Sequence, residues 1–113
     1  MTVTDDVVLN RIRDLNDQLR TTGRGGQVLV AQGLLAFGAD FVARAISAVA
    51  NFSDFTPDND PHGEHDFGAV TVSGESVFFK IDYYDVALTA GSEDPADAAI
   101  TRRVMTVMLA ADY

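Results

Sequence analysis

The chain has no cysteine, which excludes disulfides and thiolate-bound zinc and leaves nothing that requires an oxidising compartment. It also lacks an apolar run able to span a bilayer. Its most hydrophobic window, residues 28–52, is interrupted by Gln32, Asp40 and Arg44. The opening MTVTDDVVLN has neither a basic n-region nor an apolar h-region, so no secretory signal is expected and the cytoplasm is the expected compartment. Beyond seven arginines, basic side chains are few: one lysine, Lys80, and two histidines, His62 and His65. What is present, 113 residues at 47% hydrophobic content, suits one globular domain over residues 1–113 with no room for a second core.

The net charge of −9 is concentrated in one block. Residues 1–44 hold five acids and five arginines, whereas residues 45–101 hold eleven acids against Lys80 alone. Such a block repels phosphate backbones, so direct nucleic-acid binding is not expected. It attracts divalent cations, or the basic surface of a protein that itself handles nucleic acid; a solvated acidic face with no partner reads the same way.

Thr4 followed by Asp5 and Asp6 predicts a capped helix start, and Val8, Ile12, Leu15 and Leu19 form one apolar stripe behind it. Thr22 and the glycines at 23, 25 and 26 end that helix in a turn. QVLVAQ, residues 27–32, predicts a short strand, buried on both faces if central. Val42, Ala45, Ile46 and Val49 share a helical face and predict a helix over 39–50. Residues 67–72 and 76–84 alternate as two strands joined at Ser73-Gly74-Glu75, with Val77, Phe79, Ile81 and Tyr83 inward and Phe78, Lys80, Asp82 and Tyr84 on the other face. Asp94 and Pro95 predict a helix start, and Ile100, Val104, Val107, Met108 and Ala111 favour a C-terminal helix over the strand that RVMTVML also allows. The expected fold is a single α+β domain: a small, mainly antiparallel sheet centred on the 67–84 hairpin, with two to four packed helices.

Both histidines fall in TPDNDPHGEHDFG, residues 56–68, among Asp58, Asp60, Glu64 and Asp66. Known signatures fail here. His62-Gly63-Glu64-His65 is not H-E-x-x-H, and Pro61 and Gly63 oppose the helix that motif needs. Zinc deaminases need cysteine ligands. A restriction-like nuclease needs an acid where Phe78 precedes Lys80, and no G-x-S-x-G elbow supports a serine nucleophile.

Three readings of the turn remain. His62, His65 and Asp66, with Glu64 or Asp60, have the donor chemistry for a divalent metal such as zinc or manganese. His62, Glu64 and His65 suit acid–base catalysis, with a histidine oriented by Asp66 or Asp82. Alternatively the turn is structural: Asp58, Asn59 and Asp60 form Asx turns, Gly63 and Gly68 supply positive φ, and the histidines bond to neighbouring carboxylates. In KIDYYD, residues 80–85, Lys80 either holds an anion or pairs with a nearby acid, and Arg102 and Arg103 are expected to pair with Asp94 or Asp97.

Taken together, FTPDNDPHGEHDFGAV, FFKIDYYD, GSEDPADAAITRR and the ending MLAADY resemble a family of short bacterial proteins of unknown function, frequent in alphaproteobacteria and on plasmids. Residues 59–68 and 80–85 match its motifs. The resemblance implies no activity; it implies the company of mobile-element genes for transfer, maintenance or defence evasion. Combined with the charge block, it gives the leading expectation. This is an acidic accessory protein that binds a basic, nucleic-acid-handling host protein, as an anti-CRISPR or antirestriction inhibitor would, through Asp58, Asp60, Glu64, Asp66, Asp82 and Asp85. The alternative is a small metal-dependent hydrolase or transferase centred on the histidine turn, with Lys80 as anion holder.

Overall fold

The apolar stripe near the N-terminus folds as α1, Val3–Thr22, in a computed structural model that describes residues 3–113. The expected cap on Thr4 lies outside the described side chains. Leu19 is fully buried and Ile12 nearly so, while Gly23 at φ 76° returns its amide to the Leu19 carbonyl at 2.8 Å and closes the helix. β1, Gln27–Val30, follows, then the single turn α2, Gln32–Leu35, and α3, Ala39–Ala50. α3 has the expected bounds and buries Phe41, Ala45 and Val49.

The hairpin also forms as expected. β2, Phe67–Val72, pairs antiparallel with β3, Glu75–Tyr84, across Ser73 and Gly74, both at positive φ. Val77, Phe79 and Ile81 are buried and Phe78, Lys80 and Asp82 are not, so the face assignment along β3 holds.

The C-terminal expectation is overturned. Residues 102–109 form β4, Arg102–Leu109, antiparallel to β3 and parallel to β1, and only Ala110–Asp112 turn helically, as a 3₁₀ turn. The sheet order β1-β4-β3-β2 makes β4 central. Val104, Met105, Val107 and Met108 are therefore buried on both faces, and a strand filled on both faces loses the alternation that identifies it. β1 is correspondingly an edge strand rather than a central one, with Leu29 half exposed. The helix expected from Asp94 is absent too. Asp94 and Asp97 instead accept the amides of Ala96 and Ala99 in successive Asx turns.

The result is the expected α+β fold, a four-stranded, mostly antiparallel sheet with three helices. The core joins Leu19, Leu34, Phe41, Ala45 and Val49 to Val77, Phe79, Ile81, Met105 and Val107 on one face of the sheet. Gly68 sits in β2 because a Cβ there would lie 2.4 Å from the Phe79 ring. Its role is close approach and not positive φ, which corrects the expectation for that residue. On the opposite face the Tyr113 ring packs edgewise on Phe67 and Phe78. Among the described residues no helix is long and apolar enough to cross a membrane.

Candidate functional site

The histidine turn fills the connection between α3 and β2, and its order begins with its own side chains. Asn59 accepts the Thr56 amide at 2.8 Å and donates to the Asp54 carbonyl at 2.8 Å. Asp60, only 8% exposed, accepts the His65 amide at 3.2 Å. Gly63 and His65 both take positive φ, 69° and 57°, which folds the chain back over Asp60. The His65 ring then stacks flat on Phe55, centroids 3.8 Å apart, and Phe55 and Phe52 meet Phe79 of the core edge-on.

The turn is also held from outside by a polar stripe on α1. Arg13, Asn16, Asp17 and Arg20 recur at the i, i+3, i+4, i+7 spacing of one helix face, beside the apolar stripe. Arg13 Nε donates to the Gly63 carbonyl at 2.7 Å, and Asn16 Nδ2 to the Glu64 carbonyl at 3.0 Å. Asp17 Oδ1 lies 2.8 Å from His65 Nδ1 and 3.0 Å from Arg20 Nη2. Arg20, itself buried, donates through Nη1 to the carbonyls of Val49, Ala50 and Phe52, closing the C-terminal end of α3.

A second network lies beneath. Asn16 is fully buried and donates to the Tyr83 hydroxyl at 2.7 Å, which donates onward to Glu64 Oε1 at 2.6 Å. Arg103 Nε donates to Asn16 Oδ1 at 2.8 Å, and its guanidinium lies 5.1 Å from the Tyr83 ring centroid. Burial, reinforced by the bond to Glu64, pushes the Tyr83 hydroxyl well above its usual range. Burial lowers Arg103, with the charge of Arg11 acting the same way. Asp66, partly buried and close to Glu64, is held above the ordinary carboxylate value of 3.8.

The sequence-predicted residues separate into distinct roles. His65 and Asp60 belong to the interior of the turn, and Glu64 turns inward to Tyr83. His62 and Asp58 are exposed. His62 and His65 both line a shallow cleft of about 390 Å³, with Arg13, Phe55 and Pro57. Neither Asp66 nor Asp82 orients His65; Asp17, on a helix 48 residues away, does. His62, His65 and Asp66 do not converge as metal ligands: among the described residues no group of three or more His, Asp or Glu side chains could hold an ion.

Lys80 pairs with Asp82 at 3.2 Å along its own strand, and so is committed to a neighbouring acid. Asp85 accepts the Thr89 and Ala90 amides, and these bonds, that from Thr89 foremost, hold its carboxyl below the usual range. Arg103 bonds to Asn16 and the Pro95 carbonyl and not to Asp94 or Asp97. Sequence reasoning missed Arg13, Asn16, Asp17 and Arg20, and gave Tyr83 and Arg103 other roles than the buried network they join. The signal for the first four was present as a polar i, i+3, i+4, i+7 set beside an apolar one.

Among curated proteins and solved structures none matches the chain. A family model described as a protein of unknown function (DUF3768) matches residues 30–112, which takes in the histidine turn and all of β2, β3 and β4, and the chain therefore belongs to the DUF3768 family.

Proposed function

We propose that the protein is a non-catalytic binding protein of the cytoplasm. It offers an acidic surface to a basic, nucleic-acid-handling host protein, in the manner of an antirestriction or anti-CRISPR inhibitor encoded on a mobile element. The observation that carries this reading is the state of the acidic block. Its one lysine is paired with Asp82, while Asp54, Asp58, Glu75, Glu93, Asp94 and Asp97 stand exposed. Asp85 and Glu93 rim a groove that also holds Val86 and Ile100, which are 53% and 39% exposed. Carboxylates beside exposed apolar side chains match a basic groove with apolar contacts, and electrostatic complementarity of this kind mainly speeds association and weakens with salt. The histidine turn supports the reading indirectly, since most of its donors and acceptors are occupied inside the fold.

The test is capture of basic nucleic-acid-binding proteins from a bacterial lysate at low salt, then reconstitution with the purified candidate. Asp58→Asn with Asp85→Asn and Glu93→Gln should weaken the reconstituted complex far more than Asp5→Asn with Asp6→Asn and Asp14→Asn. DNA should compete with the protein for its partner. Equal behaviour of the two triple variants, or a complex indifferent to DNA, sinks the proposal.

The second reading, a hydrolase or transferase using His62, Glu64 and His65, draws on the cleft that both histidines line. A turnover lost in His62→Ala but kept in the Asp58/Asp85/Glu93 variant would favour it.

A further inference from the structure

The parallel strands β1 and β4 begin side by side, with Gln27 opposite Val104, and a cavity of about 420 Å³ opens at that corner. Its lining includes Gly25, Gly26, Leu88, Ala98, Arg102 and Arg103. A cavity of this size is in the range that takes small ligands.

The charges at the corner run against the rest of the molecule. Arg103 is 2% exposed, yet its partners are the Asn16 amide oxygen, the Pro95 carbonyl and the Tyr83 ring, none of which carries a negative charge in an ion pair with it. Glu64, bonded to the Tyr83 hydroxyl, favours the charged guanidinium but makes no ion pair with it, so the charge is only partly compensated. The neighbouring Arg102 is exposed, and among the described residues its guanidinium has no hydrogen-bond or ion-pair partner. The amides of Gly25 and Gly26 likewise have no acceptor among the described residues outside the strand ladder. Gly26 has to be glycine for the corner to close, because a Cβ there would lie 2.4 Å from the Arg103 carbonyl oxygen. Thr101 is already engaged with Ser92 and the Asp94 carbonyl. Apart from Gln27, which can donate or accept, the remaining polar groups are donors, set against apolar Leu88, Ala98 and Val104.

We propose that this cavity is a binding site for a small organic phosphate of mononucleotide size. The phosphate sits on Arg102 and the Gly25–Gly26 amides, and the organic body lies against Leu88 and Ala98. Backbone amides at glycines and a planar guanidinium fork suit the several oxygens of a phosphate. A long polyanion is disfavoured by the net charge of −9 on the whole chain. This proposal is independent of the partner proposed above.

The test is titration of AMP, inorganic phosphate and adenosine, separately and at low salt, into isotopically labelled protein followed by amide NMR. AMP should produce saturable shifts centred on Gly25, Gly26 and residues 101–104, with inorganic phosphate weaker and adenosine weakest. Arg102→Gln should weaken AMP binding about tenfold or more, the loss expected of a charge-assisted contact. Ala98→Trp should block the cavity. Both positions are exposed, and unchanged shifts elsewhere in the spectrum show that the variants fold. The proposal is overturned if AMP and phosphate at about 10 mM, a concentration that would reveal even millimolar affinity, give no saturable shifts at these amides. It is equally overturned if the shifts survive both substitutions, or if adenosine binds as well as AMP.

Discussion

Arg20→Met is the substitution that most directly tests how the histidine turn is held. Arg20 contributes hydrogen bonds to three carbonyls, Val49 and Ala50 at 3.2 Å and Phe52 at 2.7 Å, and a salt bridge to Asp17 at 3.0 Å. Val49 keeps another partner, the Phe52 amide, so the loss falls mainly on Ala50, Phe52 and Asp17. Hydrogen bonds from a charged donor contribute about 1.5–3 kcal/mol each. Two terms reduce the sum. The Asp17 side chain is 34% exposed and partly screened, and Arg20 Nε is buried with no acceptor, a cost that methionine removes. Methionine also keeps an aliphatic stem against Phe55 and Phe79, over which the guanidinium now lies. The expected net cost is about 3 kcal/mol, a large share of the roughly 5–15 kcal/mol that keeps a domain folded. That should lower the melting temperature by more than about 10 °C. Urea denaturation followed by circular dichroism reads the change as a lower midpoint at constant slope. Arg24→Gln is the control: its exposed side chain has no partner among the described residues, so it should stay within about 0.5 kcal/mol of the parent. If the two variants unfold at the same urea concentration, Arg20 does not fasten α1 to the end of α3.

Tyr83→Phe removes the hydroxyl that accepts from Asn16 and donates to Glu64, leaving two inward-facing groups short of a partner. It should cost about 1–3 kcal/mol in thermal unfolding, and a change below about 0.5 kcal/mol would show that the network is not needed. Asp66→Asn probes pH dependence. The folded state raises the Asp66 carboxyl above 3.8, so the folded protein holds that proton more tightly than the unfolded chain does. Its stabilising share is present in full below pH 3.8 and is lost as pH rises through the folded value. The asparagine variant should therefore gain stability relative to the parent between acidic and neutral pH. A parent and variant whose stabilities run parallel over that range would refute the shift.

The elements that could be read from the sequence are those with one buried face. α3 and the β2–β3 hairpin each bury one stripe, so Val42, Ala45 and Val49 mark a helix while Val77, Phe79 and Ile81 mark a strand. β4 has two buried faces, and residues chosen from both fall by coincidence at three- and four-residue intervals. β1 shows the converse: QVLV looks like a central strand, but the parallel pairing to β4 that makes it an edge is a long-range choice with no local signal. At the site, Asn59 and Asp60 bond within the turn as Asx formers do, which could be read locally. That His65 would meet Asp17 could not, because the partner lies 48 residues earlier on a helix whose polar face looks like ordinary solvent-facing surface.

The limits of the family match sharpen this point. The matched region begins at residue 30, after α1 and at the last residue of β1. Yet α1 supplies Leu19 to the core, Asn16 to the buried network, and Arg13, Asp17 and Arg20 to the turn and the end of α3. Without α1 the core would lose Leu19. Glu64 and Arg103 would lose Asn16, and His65 would keep its stack on Phe55 but no carboxylate at Nδ1. Residues 30–112 thus contain the histidine turn and strands β2, β3 and β4 but not everything that holds them in place, so the folding unit is larger than the matched segment. The neighbouring helix thus fixes the shape of the turn, while its exposed members, His62 and Asp58, stay available for contact.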